Sequence, residues 1–173
     1  MSLPELDPDP LRARLRHLAA RLVLDGYLAP ELAVAAAVDL LVAGVDAPSV
    51  VELAALPARR ADLRWPDVEP MFTAVLSDAG VRMPAPETAG WLEAQRIVAE
   101  LARGAVAPVE AARRLWWLWE VCGEPPELAW MLELWESWES AADGERTAGE
   151  AEIVAFAPHV LAVAGRHLAA AEL

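Results

Sequence analysis

The sequence predicts an all-α fold, a compact bundle of about eight helices. Proline and glycine recur at intervals of one helix length, and proline is typical of the first turn of a helix while glycine is typical of its end. Between them, apolar residues recur at spacings of three and four. No segment shows sustained alternation with period two, so no β-strand is predicted.

Four helices are predicted in the first half. Asp9 and Pro10 form an N-cap and first-turn pair, and proline opens each later helix. The helices predicted in this way span 10–26, 30–44, 48–57 and 66–80. A loop that contains Arg59, Arg60 and Trp65 precedes the fourth. The apolar face of the fourth helix consists of four residues at helical spacing: Val68, Phe72, Val75 and Leu76.

In the second half, proline and glycine again mark the predicted helix boundaries. The helices predicted from it span 87–103, 108–123 and 125–143. The capping-box pattern from Thr147 to Glu150 predicts the start of a last helix, because the two side chains would cap each other's backbone amides. Pro158 lies inside that helix and removes one of its hydrogen bonds, which predicts a kink or break near Phe156.

The two halves resemble one repeated unit. A shift of 78 residues aligns three helix-boundary pairs, namely Gly26 with Gly104, Pro30 with Pro108 and Pro48 with Pro126. A true duplication predicts two pseudo-symmetric four-helix units, 1–82 and 83–173, in one compact domain with a shared core. The alternative is that any helical bundle carries glycine and proline at its turns.

Two segments, GYLAPELAVAAAVDLLVAGVDAPSVVELAAL and GAVAPVEAARRLWWLWE, resemble uncharacterised all-helical proteins common in actinobacteria. The resemblance spans most of the chain. It implies a helical fold and an actinobacterial source, and it implies no activity. It depends on seven positions: Gly26, Pro30, Gly44, Pro48, Gly104, Ala111 and Trp116.

The composition excludes several chemistries. All 14 basic residues are arginine, so the lysine-dependent P-loop, pyridoxal and protein-kinase sites are excluded. Cys122 is the only cysteine, which excludes an intrachain disulfide and is typical of a cytoplasmic protein. The first ten residues are acidic and proline-rich, unlike a secretory signal. The longest apolar stretch, 32–45, is too short to span a bilayer, so we expect no membrane segment.

We expect no metal, no cofactor and no catalytic residue. The three histidines, His17, His159 and His167, form no HExxH motif, and GxSxG is absent. Cys122 precedes Gly123 at a predicted helix C-terminus, whose partial negative charge would raise the thiol pKa. Catalytic carboxylates assembled from distant helices stay an open alternative.

Arginines cluster at two places in the sequence. The first helix carries Arg12, Arg14, Arg16, His17 and Arg21. We expect its arginines to pair with the protein's own carboxylates, and the alternative is contact with an anionic membrane surface. The second place is the pair Arg113 and Arg114, which could stack on Trp117.

The negative charge is concentrated in one segment. The chain has 27 acids and a net charge of −13, and the ten acids and one base between positions 120 and 152 account for −9 of it. Such a charge repels nucleic acid and favours association with a basic protein. Glu133, Glu136 and Glu139 recur every third residue within this segment.

Six of the eight tryptophans lie between positions 116 and 138. We expect Trp116, Trp119 and Trp135 in the core. We expect the others, Trp117, Trp130 and Trp138, to be the exposed members, and with Glu133, Glu136 and Glu139 they form a predicted partner-binding surface.

The leading hypothesis is a non-catalytic acidic helical module, immunity-, antitoxin- or adaptor-like, that docks a basic protein partner. The alternative is a ligand-binding or enzymatic bundle. Its pocket would be lined by four residues: Trp116, Trp119, Arg113 and Glu120. A third hypothesis is mimicry of nucleic-acid charge to block a DNA-binding protein.

Overall fold

The computed structural model describes residues 10–57 and 63–171, so the loop residues Arg59 and Arg60 lie outside the described residues. The described residues form eight α-helices and no strand, which confirms the all-α prediction. The chain divides into two compact units, Met1–Ala85 and Pro86–Leu173, and each contains four of the helices.

Unit 1 is built around its second helix. Its helices are α1 (Pro10–Asp25), α2 (Pro30–Val42), α3 (Pro48–Ala54) and α4 (Trp65–Asp78). Helix α2 packs against the other three, and α3 also packs against α4. The predicted apolar face of α4 is fully buried, as the spacing of Val68, Phe72, Val75 and Leu76 indicated. Trp65, predicted in a loop, is instead the first residue of α4 and is buried, with edge contacts to Tyr27 and Phe72.

The arginines of α1 make contacts within unit 1. Arg14 forms an ion pair with Asp39 of α2, and Arg21 lies 3.9 Å from a carboxylate oxygen of Asp25. Arg12 donates a hydrogen bond of 3.3 Å to the carbonyl oxygen of Ala79. For Arg14 and Arg21, the predicted pairing with the protein's own carboxylates is therefore confirmed.

Unit 2 is built around its last helix. Its helices are α5 (Pro86–Ala102), α6 (Pro108–Trp116), α7 (Pro126–Ser140) and α8 (Asp143–Ala170). Helix α8 packs against the other three, and α6 also lies between α5 and α7. The largest fully buried side chains of this unit are Trp91, Ile97, Leu115, Leu128, Met131 and Ile153.

The predicted helix over 108–123 is shorter in the structure. Helix α6 ends at Trp116, and residues 117–123 form successive turns in which the Trp119 amide donates to the Trp116 carbonyl at 2.8 Å. Bulky aromatic residues lose side-chain freedom in a helix, which disfavours its continuation through this Trp-rich stretch. Gly123 and Glu124 then take positive φ values, which reverse the chain before α7.

The predicted start of the last helix was wrong, and of the kink or break predicted near Phe156 the structure excludes the break. Helix α8 begins at Asp143, so Thr147 and Glu150 lie inside it rather than at its start. Acidic residues in its first turn stabilise the positive end of the helix dipole there. The helix is also continuous through Pro158, and the break expected near Phe156 is absent. Proline removes only one backbone donor, while Ile153 and Val160 on either side are fully buried and hold the neighbouring turns in place.

Helix α8 is the one helix in the described ranges that is long and apolar enough, by length and composition alone, to cross a membrane. Core helices of soluble proteins pass the same test. The sequence prediction, which considered only the stretch 32–45, overlooked this helix.

Candidate functional site

Helix α7 presents carboxylates to solvent and aromatic rings on both of its flanks. Glu133, Glu136 and Glu139 are all exposed, as predicted. Among the described residues, no base lies within ion-pair distance of any of the three. Their charges are therefore not neutralised by a base in the described part of the chain.

One flank of α7 contacts the end of α6. Trp135 stacks on Trp116 with a centroid distance of 6.0 Å, and Trp116 lies 5.2 Å from Trp117. Trp117 is 64% exposed, whereas Trp116 and Trp135 are half-buried rather than in the core. We call these three residues the Trp117 cluster.

The other flank of α7 contacts α8. The Trp130 ring lies 6.4 Å from the ring of Phe156, which lies 5.2 Å from the ring of His159. Trp130 is 47% exposed. The His159 Nε2 atom lies 3.8 Å from a carboxylate oxygen of Glu127. We call Trp130, Phe156 and His159 the Trp130 cluster.

Trp138 differs from the other two tryptophans that were predicted to be exposed. It is half-buried, because the guanidinium of Arg146 lies over its ring at 5.0 Å from the centroid. Gly149 of α8 also packs against this ring. An intramolecular cation thus already covers Trp138.

The structure does not assemble the polar groups of the alternative pocket. Trp116 and Trp119 are half-buried, but Arg113 and Glu120 are exposed and do not face inward. Arg113 donates two hydrogen bonds, of 2.9 and 2.8 Å, to the carboxylate of Glu110.

The predicted stacking of Arg113 and Arg114 on Trp117 is also absent. The guanidinium of Arg114 instead lies 3.5 Å from a carboxylate oxygen of Glu93 and 3.3 Å from one of Glu100. Both glutamates also form ion pairs with Arg96. The hydrogen bond from Arg96 to Glu93 is the largest cause that raises the pKa of Arg96. An exposed ion pair within α6 therefore holds Arg113, whereas partly buried ion pairs with α5 hold Arg114.

The burial of Trp91 in the core of unit 2 was not predicted from the sequence. Trp91 of α5 is 1% exposed and stacks on His167 of α8, with centroids 4.5 Å apart and planes 15° apart. The signal was present, because Trp91, Ala94, Val98 and Leu101 recur at helical spacing and are all buried.

The histidines of α8 have separate carboxylate neighbours. His167 lies 3.8 Å from Glu87, and His159 lies 3.8 Å from Glu127. In the part of the chain that the structure describes, no group of three His, Cys, Asp or Glu side chains could hold a metal ion.

Cys122 is buried against α5, and its pKa is raised to about 12. Burial is the larger cause, and the negative charge of Glu87 adds to it. The predicted direction is confirmed, but the cause differs, because Cys122 lies in a turn and not at the end of a regular helix. A neutral thiol at neutral pH is a poor nucleophile.

This raised pKa predicts a loss of stability at alkaline pH. The folded state keeps the thiol proton up to about pH 12, whereas the unfolded chain releases it near the ordinary value of 9.0. The contribution of the Cys122 thiol to the free energy of unfolding is therefore fully present below about pH 9. Above that pH it falls, by at most about 1.4 kcal/mol per pH unit. Urea unfolding of the native chain and of Cys122→Ala across this range isolates the effect, since all other titrating groups are shared. Parallel pH profiles would contradict the prediction.

No protein-family model, curated protein or solved structure matches this chain. The resemblance to uncharacterised actinobacterial proteins therefore stays a prediction.

Proposed function

We propose that this protein is a non-catalytic binding module that docks a basic protein partner. The docking surface is the solvent face of α7 with the aromatic clusters on its flanks, and we call it the acid–tryptophan face. The observation that carries the proposal is the large exposed area of Trp117 and Trp130, in the same unit as three exposed carboxylates, Glu133, Glu136 and Glu139, that have no base within ion-pair distance in the described part of the chain.

The tryptophans supply the affinity in this proposal. An indole ring exposed to water gains free energy when a partner covers it, and tryptophan is among the residues most enriched at binding hot spots. Trp117 rests against Trp116, which in turn stacks on Trp135. Such support limits the side-chain entropy that is lost on binding.

In this proposal the carboxylates make the surface selective for a basic partner. Of the ten acids between positions 120 and 152, only Glu127 and Asp143 lie within ion-pair distance of a base in the described part of the chain. The remaining charges repel phosphate backbones and acidic proteins, and they accelerate encounter with a basic surface. We therefore propose an immunity-, antitoxin- or adaptor-like role for this surface.

Co-purification from native lysate at low salt, followed by mass spectrometry, tests the proposal. We expect the native chain to retain a basic protein whose binding weakens as salt rises. Trp117→Ala should weaken that binding by about 2 kcal/mol, roughly thirtyfold, as at a hot spot. Recovery of no basic protein, or equal recovery with Trp117→Ala, would refute the proposal.

Two triple variants separate the local charge from the net charge. The first replaces Glu133, Glu136 and Glu139 by Gln, and the matched control replaces three exposed acids of unit 1 by Gln: Glu31, Glu52 and Glu69. Both variants change the net charge equally. We expect the first to lower the association rate about tenfold at low salt and the control to change it much less. Equal effects would mean that only the total charge matters.

A further inference from the structure

Beside the exposed aromatic rings of the Trp130 cluster lies the carboxylate of Glu127, which has no close hydrogen-bond donor in the described ranges. The Glu127 side chain is only 21% exposed, and its one ion-pair neighbour in the described ranges is His159 at 3.8 Å, which is longer than a hydrogen bond. A carboxylate that is largely withdrawn from water is stabilised by a close hydrogen-bond donor. The site therefore favours a guest that brings donors and positive charge.

We propose that Trp130, Phe156 and Glu127 bind the guanidinium group of an arginine side chain on the partner. This inference rests on the proposed function and names the chemical group that one flank of the acid–tryptophan face takes. The ring of Trp130 would hold the guanidinium plane, Phe156 would border it, and Glu127 would accept its hydrogen bonds.

Acidic residues lie one helical turn from the rings of Trp130 and Phe156. Glu127 and Glu133 lie three residues before and after Trp130 on α7, so each is a neighbour of Trp130 on the helix surface. Glu152 lies one turn before Phe156 on α8 and is exposed. A cation placed over the indole ring is attracted by the ring itself and by these carboxylates.

The same unit already contains an occupied site of this kind. The Arg146 guanidinium covers the Trp138 ring at 5.0 Å, while its Nη1 atom lies 3.1 Å from Asp143. An aromatic ring, a guanidinium and a carboxylate are thus combined within the chain. Among residues 10–57 and 63–171, this is the one arginine found over a tryptophan ring, and no arginine covers Trp130.

Arginine fits the site better than lysine does. The guanidinium is planar, stacks on aromatic faces and can donate two parallel hydrogen bonds to one carboxylate. The lysine ammonium is more strongly hydrated and offers no planar surface to the indole ring. We therefore expect a measurable preference between the two side chains.

The test uses the full chain with its tryptophan indole nitrogens labelled with ¹⁵N. Trp130→Phe and Trp117→Phe identify the two exposed indole signals in NMR spectra. The probes are a short Gly/Ser-rich peptide with one arginine, the same peptide with lysine, and the same peptide with citrulline, the neutral analogue of arginine. We expect the arginine peptide to shift the Trp130 signal saturably, lysine to bind about threefold more weakly and citrulline not to bind.

Two charge-matched variants on α7 locate the interaction. Glu127→Gln should weaken binding of the arginine peptide about fivefold, and Glu139→Gln, which removes the same charge farther along the helix, should weaken it less than about twofold. Phe156→Leu keeps an apolar side chain but removes the ring, and it should also reduce affinity. Equal effects of the two glutamate variants, or equal binding of the citrulline peptide, would overturn the inference.

The arginine-binding subsite, formed by Trp130, Phe156 and Glu127, can fail while the proposed function stands, and the reverse is also possible. If the arginine peptide shifts the Trp117 signal and leaves Trp130 unmoved, the inference fails and the basic-partner proposal stands. If Trp130 selects arginine while the native chain retains no basic protein from lysate, the subsite stands and the proposed function fails.

Discussion

Replacing Trp91 by Ala should lower the free energy of unfolding of unit 2 by about 3–5 kcal/mol, the range for removing a large buried aromatic side chain. Trp91 is the largest fully buried side chain in the structure. Its ring stacks on His167 and so joins α5 to α8, the helix against which all others of this unit pack. The substitution leaves a cavity that backbone helices cannot collapse to fill.

Hydrogen exchange followed by mass spectrometry measures this loss without assuming that the whole chain unfolds in one step. Amides of α5 should lose protection in Trp91→Ala, while those of unit 1 provide an internal reference. Trp91→Phe should be milder, because it keeps a ring and removes an indole N–H that has no hydrogen-bond partner in the described structure. Trp117→Ala, at an exposed site, should change stability by less than about 0.5 kcal/mol. If Trp91→Ala and Trp117→Ala are equally stable, the assignment of core and surface is wrong.

Helix starts were predictable because proline marks them physically. Pro10, Pro30, Pro48, Pro108 and Pro126 each occupy the first position of a helix. That position needs no amide donor and suits the fixed φ of proline. Interior proline did not break the helix at Pro158, since the helix on both sides of it is held by tertiary packing that no local pattern reveals.

Which tryptophans are buried could not be predicted from their clustering. Periodicity places residues on a common face, but burial depends on whether another helix covers that face. None of the six tryptophans between 116 and 138 is buried, whereas Trp65 and Trp91, which stand apart in sequence, are buried. The exposed positions of Trp117 and Trp130 were predicted correctly, and that of Trp138 was wrong because Arg146 covers it.

The Trp130 cluster was beyond the reach of sequence reasoning for a similar reason. Trp130 and Glu127 belong to α7, and Phe156 and His159 belong to α8. Their proximity depends on the register between two helices, which neither helix encodes alone. The charge of the segment was visible in the sequence, but the pairing of one partly withdrawn carboxylate with one exposed ring was not.

Gly90→Val should lower the stability of unit 2 by about 3 kcal/mol, the upper end for overpacking a core. Gly90 lies inside α5, where glycine is normally unfavourable, so its presence needs a reason. A Cβ atom there would lie 2.7 Å from the Sγ atom of Cys122 and 3.3 Å from a methyl carbon of Val121. Glycine therefore allows the turn segment 117–123 to pack closely on α5. The matched control is Gly165→Val in α8, where a Cβ atom would meet nothing within 4 Å, and it should change stability by less than about 0.5 kcal/mol.

A double-mutant cycle shows whether the sulfur atom is the obstacle. Cys122→Ala removes the closest atom and leaves the contact with Val121, so the double variant Gly90→Val/Cys122→Ala should be more stable than the sum of the single effects predicts, by at least about 1 kcal/mol. Strict additivity would mean that Gly90 is required for backbone reasons unrelated to Cys122. Because the turns after α6 carry Trp117, the same close packing positions the Trp117 cluster. We therefore expect Gly90→Val to broaden or shift the Trp117 indole signal, while Gly165→Val leaves it unchanged.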